Sequence, residues 1–245
     1  MQGKDRLFES LINEPGDFVF DERVVRVFPD MINRSVPGYG LVVPMIGIMA
    51  RRYAQCGSRL YDLGCSLGAV SLAMRSAVRS ENARIIAVDN SPEMIARLKE
   101  TLAFGSEDDG LLPVEAVHQD ILETKIKNAS VVVLKFTLQF IERAARQNLL
   151  ETIATGLNPG GILILSEKIC FDDPVEQELQ TAWHLDFKRS QGYSELEIAR
   201  KRDALENVMK PDSLPKHYER LRQAGFERSY LWYQGFNFIS LVAFR

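Results

Sequence analysis

Two groups of residues in this 245-residue sequence have the types and spacing of a small-ligand site. The first is the run Asp62-Leu63-Gly64-Cys65-Ser66-Leu67-Gly68. Its small residues let the backbone come close to a ligand, and a helix N-terminus directly behind it would offer unsatisfied N–H groups. Alone, the run is as readily a plain strand–helix turn. Its companions point to a nucleoside. Asp89, with Asn90, closes a second apolar run, where a carboxylate accepts hydrogen bonds from both ribose hydroxyls. His118-Gln119-Asp120-Ile121 closes a third, offering a polar side chain to an exocyclic amine and Ile121 to a ring face. The Gly64 to Gly68 spacing is not the GxGxxG of dinucleotide binders, and Asp89 would repel a 2′-phosphate.

The second group surrounds Arg202. Gly192-Tyr193-Ser194-Glu195-Leu196-Glu197 opens a helix with a capping box, Ser194 at the N-cap and Glu197 at its third position. Ile198, Leu205 and Met209 define its apolar stripe, and Arg202 falls on that stripe. Glu197/Lys201 and Glu206/Lys210 read as helical i,i+4 pairs. An inward arginine keeps its charge and must meet an anion. Two readings fit: an internal ion pair or snorkelling side chain, or a bidentate receptor for a ligand carboxylate. Lys188 and Arg189 add local positive charge, and Pro37-Gly38-Tyr39-Gly40 is either a turn with a packing tyrosine or a lid.

The elements that must position these residues alternate. Strands are expected at Arg59–Leu63, Arg84–Val88, Pro113–His118, Ala129–Leu134 and Ile162–Leu165. Helices follow at Ala69–Val78, after the Ser91 N-cap and Pro92, and through Leu149, Leu150, Ile153 and Leu157 to a stop at Asn158-Pro159-Gly160-Gly161. Residues 105–110 form a loop, and Asp172–Ala224 reads as helical and free of strands. Tyr230–Tyr233 and Phe238–Phe244 lie so close that they must pair antiparallel. A mostly parallel sheet ending in an antiparallel hairpin is the class I methyltransferase (Rossmann-like) α/β fold. We expect one domain: a helical lid segment at 1–57, a core at 58–168, a helical insert at 169–225 and a hairpin at 226–245. Asp62 stands where S-adenosylmethionine (SAM) enzymes place an acid, so SAM is the expected ligand.

Composition narrows the class. With 30 basic against 33 acidic residues and a net charge of -3, no broad basic surface for nucleic acid is expected. Cys56, Cys65 and Cys170 show no metal-ligand or disulfide spacing, so no metal is expected and Cys65 reads as a small loop filler. His118, His184 and His217 read as surface or packing residues. The fourth strand runs into Leu134-Lys135-Phe136-Thr137-Leu138, unlike the Asn/Asp-Pro-Pro-Tyr stretch of amine methylases. Met1–Arg6 leads into no apolar h-region, and Leu41–Ala50 is too short to span a membrane, so a cytoplasmic protein is expected.

Several longer strings resemble the carboxy-S-adenosyl-L-methionine synthase family over nearly the whole chain. They are Val27–Ile32, Arg34–Tyr39, Tyr61–Gly68, Asp89–Pro92, Phe136–Phe140, Gly192–Glu197 and Leu205–Met209. That resemblance implies an enzyme that carboxylates the methyl of SAM with the carboxylate lost from prephenate, releasing phenylpyruvate. The product would serve a separate enzyme that modifies a wobble uridine in tRNA, with no tRNA held by this chain. It implies that Tyr39, Gly64-Cys65-Ser66, Asp89-Asn90 and Asp120-Ile121 hold SAM, and that Arg202 grips the new carboxylate, within one subunit or across a homodimer. Where the family has an Asn contact, this sequence has Lys135, which would salt-bridge a carboxylate or crowd the SAM amino group. The alternatives are a SAM-dependent methyltransferase of a small carboxylic acid and a non-catalytic SAM- or carboxy-SAM-binding protein.

Overall fold

The structure, a computed structural model, describes residues 22–104, 110–206 and 208–245, without the side chains of residues 23, 24 and 201–206. The first strand, β1 (Arg59–Leu63), feeds the glycine loop and α3 (Ala69–Ala77). β2 (Arg84–Asp89) leads into α4 (Pro92–Ala103), where Ser91 Oγ accepts from the Met94 N–H at 3.2 Å and Pro92 stands at the first turn. β3 (Val114–His118), β4 (Ala129–Lys135) and β5 (Leu157–Cys170) complete the parallel set, with α5 (Arg143–Gly156) before β5. β7 (Arg228–Gly235) and β8 (Phe238–Phe244) pair antiparallel, and β8 runs antiparallel to β5. The strand order is β3-β2-β1-β4-β5-β8-β7. This is the expected class I fold.

Alternation along β4 shows why the centre of the sheet is apolar on both faces. Val132 and Leu134 join one core with Leu150, Ile153 and Leu221, while Val131 and Val133 join the other with Ile46, Val70 and Met74. Helices cover each face, as a parallel sheet requires. The second core draws on α2 (Tyr39–Tyr53), which α1 (Glu22–Ser35) precedes. The insert supplies α6 (Pro174–Ser190), α7 (Glu195–Glu206) and α8 (Leu214–Gln223).

Four expectations need correction. The helix before β5 ends at Gly156, and Leu157 already pairs with Ala129. The next pairing joins Ile162 to Val131, so Asn158–Gly161 is absorbed as a bulge inside β5. The insert does contain a strand: β6 (Asp212–Ser213) pairs with Ile169 and Cys170. α7 stops at Glu206, so Met209 lies beyond the helix and outside Arg202's stripe. For the same reason Glu206 and Lys210 are not a helical pair; Lys210 Nζ meets Glu142 at 2.6 Å. Residues 1–21 and 105–109, part of the expected lid and loop, lie outside the described residues.

Candidate functional site

β1 and β4 are neighbours whose following helices depart in opposite directions, which opens a crevice beyond their carboxyl ends. A cavity of about 660 Å³ lies there. Its floor is the glycine loop after β1, with Asp62, Gly64, Cys65 and Ser66, and the end of β4, with Lys135 and Phe136. Phe28, Met31, Val36 and Tyr39 close it from the N-terminal side, and Thr181, His184 and Lys188 of α6 face it from the insert.

Tight local geometry shapes the floor. Gly64 has φ +77, and a Cβ there would overlap Thr137, whose hydroxyl donates to the Leu63 carbonyl at 3.0 Å. Ser66 and Phe136 also adopt positive φ, 48 and 58 respectively. The Phe136 N–H donates to Ser166 O at 2.6 Å, and its ring meets Phe238 edge-on at 5.7 Å. Strained residues of this kind persist only where their surroundings fix them.

Asp62 is buried, and its Oδ2 accepts from the Ser71 N–H at 2.9 Å and the Ser71 hydroxyl at 2.6 Å. Burial pushes its carboxyl up, against the Ser71 bonds and the charge of Lys135. Burial likewise presses Lys135 down, against the pull of Asp62. The Lys135 ammonium lies over the Tyr39 ring, 3.8 Å from its centroid. Burial, then the Asp62 charge, raises the Tyr39 phenol, and burial above all raises the Cys65 thiol. Both therefore stay protonated near neutral pH, and Cys65 is no thiolate nucleophile.

Asp89 stands one strand over. Its Oδ2 accepts from the Ser66 N–H at 2.8 Å and its Oδ1 from the Ser91 N–H at 2.9 Å. Each carboxylate oxygen keeps a second lone pair. Burial still raises this carboxyl overall.

Of the residues expected from sequence, Tyr39, Gly64, Cys65, Ser66 and Lys135 meet at the cavity. Asp89, Asn90, Asp120 and Ile121 do not line it. They share the carboxyl end of the sheet instead: Asp89 pairs in register with His118, and Asn90 O lies 3.1 Å from His118 Nε2. Asp120 Oδ1 caps a short 3-10 turn through the Leu122 N–H at 2.8 Å, and Ile121 is buried in the main core. The capping box before α7 is present, with Ser194 N–H on Glu197 Oε2 at 2.8 Å and Glu197 N–H on Ser194 Oγ at 3.3 Å. Arg202 lies in α7, but its side chain is outside the described residues.

The sequence reading missed Lys168, and it gave His184 and Lys188 no place in the cavity. His184, expected as a surface or packing residue, packs edge-on against Phe238 and also lines the cavity, with Nε2 2.9 Å from the Ser35 carbonyl. Lys188, one turn on, is buried, whereas its neighbour Arg189 points outward to Asp186 and Glu195. Lys168 lines the cavity from β5. The available signals were a polar stripe at 181, 184 and 188 and a lysine inside an otherwise apolar strand. His217, by contrast, is a packing residue: it is buried beside Asp212 and Arg220.

Comparison with known proteins now decides the family. A family profile described as a methyltransferase domain matches residues 60–161. A carboxy-S-adenosyl-L-methionine synthase of Geobacter metallireducens is 57% identical over 241 residues, 98% of each chain. One from Salmonella agona is 56% identical over 246 residues, covering 100% of this chain and 98% of its own. This chain belongs to the carboxy-S-adenosyl-L-methionine synthase family. Members of that family are enzymes, and so is this chain. Its fold is shared more widely. An O-methyltransferase family protein of Burkholderia thailandensis aligns with TM-score 0.66 at 17% identity, over 92% of this chain and 60% of that one. Human N-acetylserotonin methyltransferase, solved with SAM, aligns with TM-score 0.58 at 15% identity, over 91% and 55% respectively. The synthase family thus builds its site on a methyltransferase frame. Among the described residues, no helix is long and apolar enough to cross a membrane, and no group of three or more His, Cys, Asp or Glu is placed to hold a metal ion.

Proposed function

We propose that this enzyme converts SAM and prephenate to carboxy-S-adenosyl-L-methionine and phenylpyruvate. The observation that carries the reading is identity of 56–57% over 98–100% of the chain to synthases of that name. It extends beyond the nucleotide loop into the lid and the insert.

The residues fit SAM in an extended pose. The glycine loop and Asp89 take the adenosine, with Asp120 and Ile121 at the far side of the base. Tyr39, Asp62 and Lys135 surround the methionine end. In the reaction, prephenate loses CO2 and hydroxide as its ring aromatises to phenylpyruvate. The hydroxide takes a proton from the sulfonium methyl and leaves as water, and the methyl carbanion bonds the CO2 carbon. The chain's part is to hold both reactants together and keep bulk water from the carbanion, for which the apolar walls formed by Phe28, Met31, Val36 and Phe238 suit it. Arg202 takes the new carboxylate.

We read the enzyme as a cytoplasmic homodimer whose product feeds a separate enzyme acting on a wobble uridine of tRNA. The exposed stripe Leu41, Met45 and Ile48 on α2 supports self-association, and the net charge of -3 supports a chain that does not itself hold tRNA. Mass spectrometry of protein incubated with SAM, with and without prephenate, tests the reading. Prephenate-dependent carboxy-SAM and phenylpyruvate are expected. A methylated acid with S-adenosylhomocysteine, or ligand retention without turnover, would overturn it.

A further inference from the structure

The helix that carries Arg202 has few apolar anchors of its own. Of the large apolar side chains described in α7, Ile198 is buried and Leu196 is 56% exposed. Much of its direction is therefore set by the turn that feeds it. α6 closes with the Gly192 N–H on Arg189 O at 2.9 Å and the Tyr193 N–H on Lys188 O at 3.2 Å. The Ser194 and Glu197 capping box then starts α7 directly.

Arg34, at the end of α1, grips that turn. Its Nε donates to the Gln191 carbonyl at 2.8 Å, and its guanidinium carbon lies 4.0 Å from the Tyr193 ring centroid. Nη1 meets Asp30 Oδ2 at 3.2 Å, which fixes the fork from the side of α1 itself. Ser35 Oγ donates to the Tyr193 hydroxyl at 3.4 Å. Arg34, Ser35 and Tyr193 are all buried. Serving a carbonyl, a carboxylate and a ring face at once suits a planar guanidinium and not a lysine ammonium. The Tyr39 turn has a separate tie, since the Tyr233 hydroxyl donates to Pro37 O at 2.9 Å. Loss of the Arg34 grip thus loosens the base of α7 while the Tyr39 wall keeps its own support.

We propose that Arg34 is a positioning residue for α7: by holding Gln191 and stacking on Tyr193, it aims the helix that presents Arg202. The inference rests on the reading that Arg202 takes the new carboxylate. Misplacing such a contact by about 1 Å costs up to about a hundredfold.

The test titrates full-length protein calorimetrically with carboxy-SAM and, separately, with SAM, which differs only in lacking that carboxylate. Arg34→Met and Arg34→Lys should each weaken carboxy-SAM about ten- to hundredfold and leave SAM within about twofold. Arg202→Ala should show the same selectivity, and Arg34→Met combined with Arg202→Ala should lose no more than Arg202→Ala alone. The positioning role is refuted if either Arg34 variant binds carboxy-SAM as wild type does, if SAM affinity falls in step, or if the two losses add. Arg202→Ala that binds carboxy-SAM as wild type does refutes the Arg202 role and the positioning role with it. Carboxy-SAM binding that depends on both arginines, without carboxy-SAM formed from prephenate in the turnover assay, upholds the positioning role and refutes the reaction alone.

Discussion

Asp212→Ala should be among the most damaging single substitutions in this fold. Asp212 Oδ2 receives Arg146 Nη1 at 2.5 Å and Arg220 Nη2 at 3.0 Å, and its Oδ1 receives Arg143 Nε at 3.2 Å. The Arg146 side chain is 0% exposed and that of Arg220 7%, against 60% for Arg143. Arg146 also donates to the carbonyls of Ile141, Gln139 and Lys210, so its guanidinium cannot move out to water. Burial pushes Asp212 up, but the charges of Arg146 and Arg220 outweigh it and hold the carboxyl below its ordinary range. Removing that carboxylate strands two buried cations, at a cost of about 3–5 kcal/mol. For a chain of this size that lowers the melting temperature by about 6–20 °C. Arg143→Ala, which removes only the exposed partner, should cost about 1 kcal/mol or less. Urea unfolding followed by far-UV circular dichroism reads both as midpoint shifts at constant m-value. An Asp212→Ala loss below about 1 kcal/mol, or equal losses in the two variants, would refute the buried-cation argument.

Two further perturbations probe the site and its supports. Gly64→Ala meets both a positive φ and the Thr137 side chain, whereas Gly160→Ala meets a φ of +75 with only Gln55 Nε2 at 4.0 Å. The second should cost about 1 kcal/mol and the first at least twice that with weakened SAM binding; equal costs would mean that Thr137 yields. His217 is buried with neither ring nitrogen partnered among the described residues; burial above all, aided by Arg220 and Arg146 and opposed by Asp212, presses it down to about 4. Its folded value lies below the unfolded one, so its contribution is complete above about pH 6.5 and is lost as pH falls towards 4. Wild type should therefore lose up to about 3 kcal/mol relative to His217→Phe between pH 7 and pH 4, and a constant difference across that range would contradict the assignment.

What the sequence made legible follows from what short-range pattern can carry. The Ser91-Pro92 start of α4 and the β-branched run of β4 are local signals, and each appears where its residues place it. Leu157 continues a helical period, yet the chain turns extended there because Ala129 offers it a ladder partner. β6 has two residues, too few to show any period, and exists only because Ile169 and Cys170 lie alongside. Met209 keeps helical spacing from Arg202, but the helix has ended by then. In the site, the loop and Lys135 were readable because they sit at strand ends. Lys168 was not, and the burial of His184 and Lys188 was not: a helix or strand with a polar buried face looks like an exposed one until the cavity behind it is known.

One long-range bond sets the order in which this site is completed. The turn that delivers Tyr39 to the cavity is held by Tyr233, whose hydroxyl donates to Pro37 O at 2.9 Å and lies against Gly38. Tyr233 belongs to β7, which among the described residues pairs with the sheet through β8 alone. During synthesis, the Pro37–Tyr39 turn and strands β1 to β6 leave the ribosome before Tyr233. The glycine loop can thus form early while its roof waits for the final hairpin. A chain lacking Tyr233 would form the glycine loop but leave the Pro37–Tyr39 turn without the hydroxyl that ties it to the sheet.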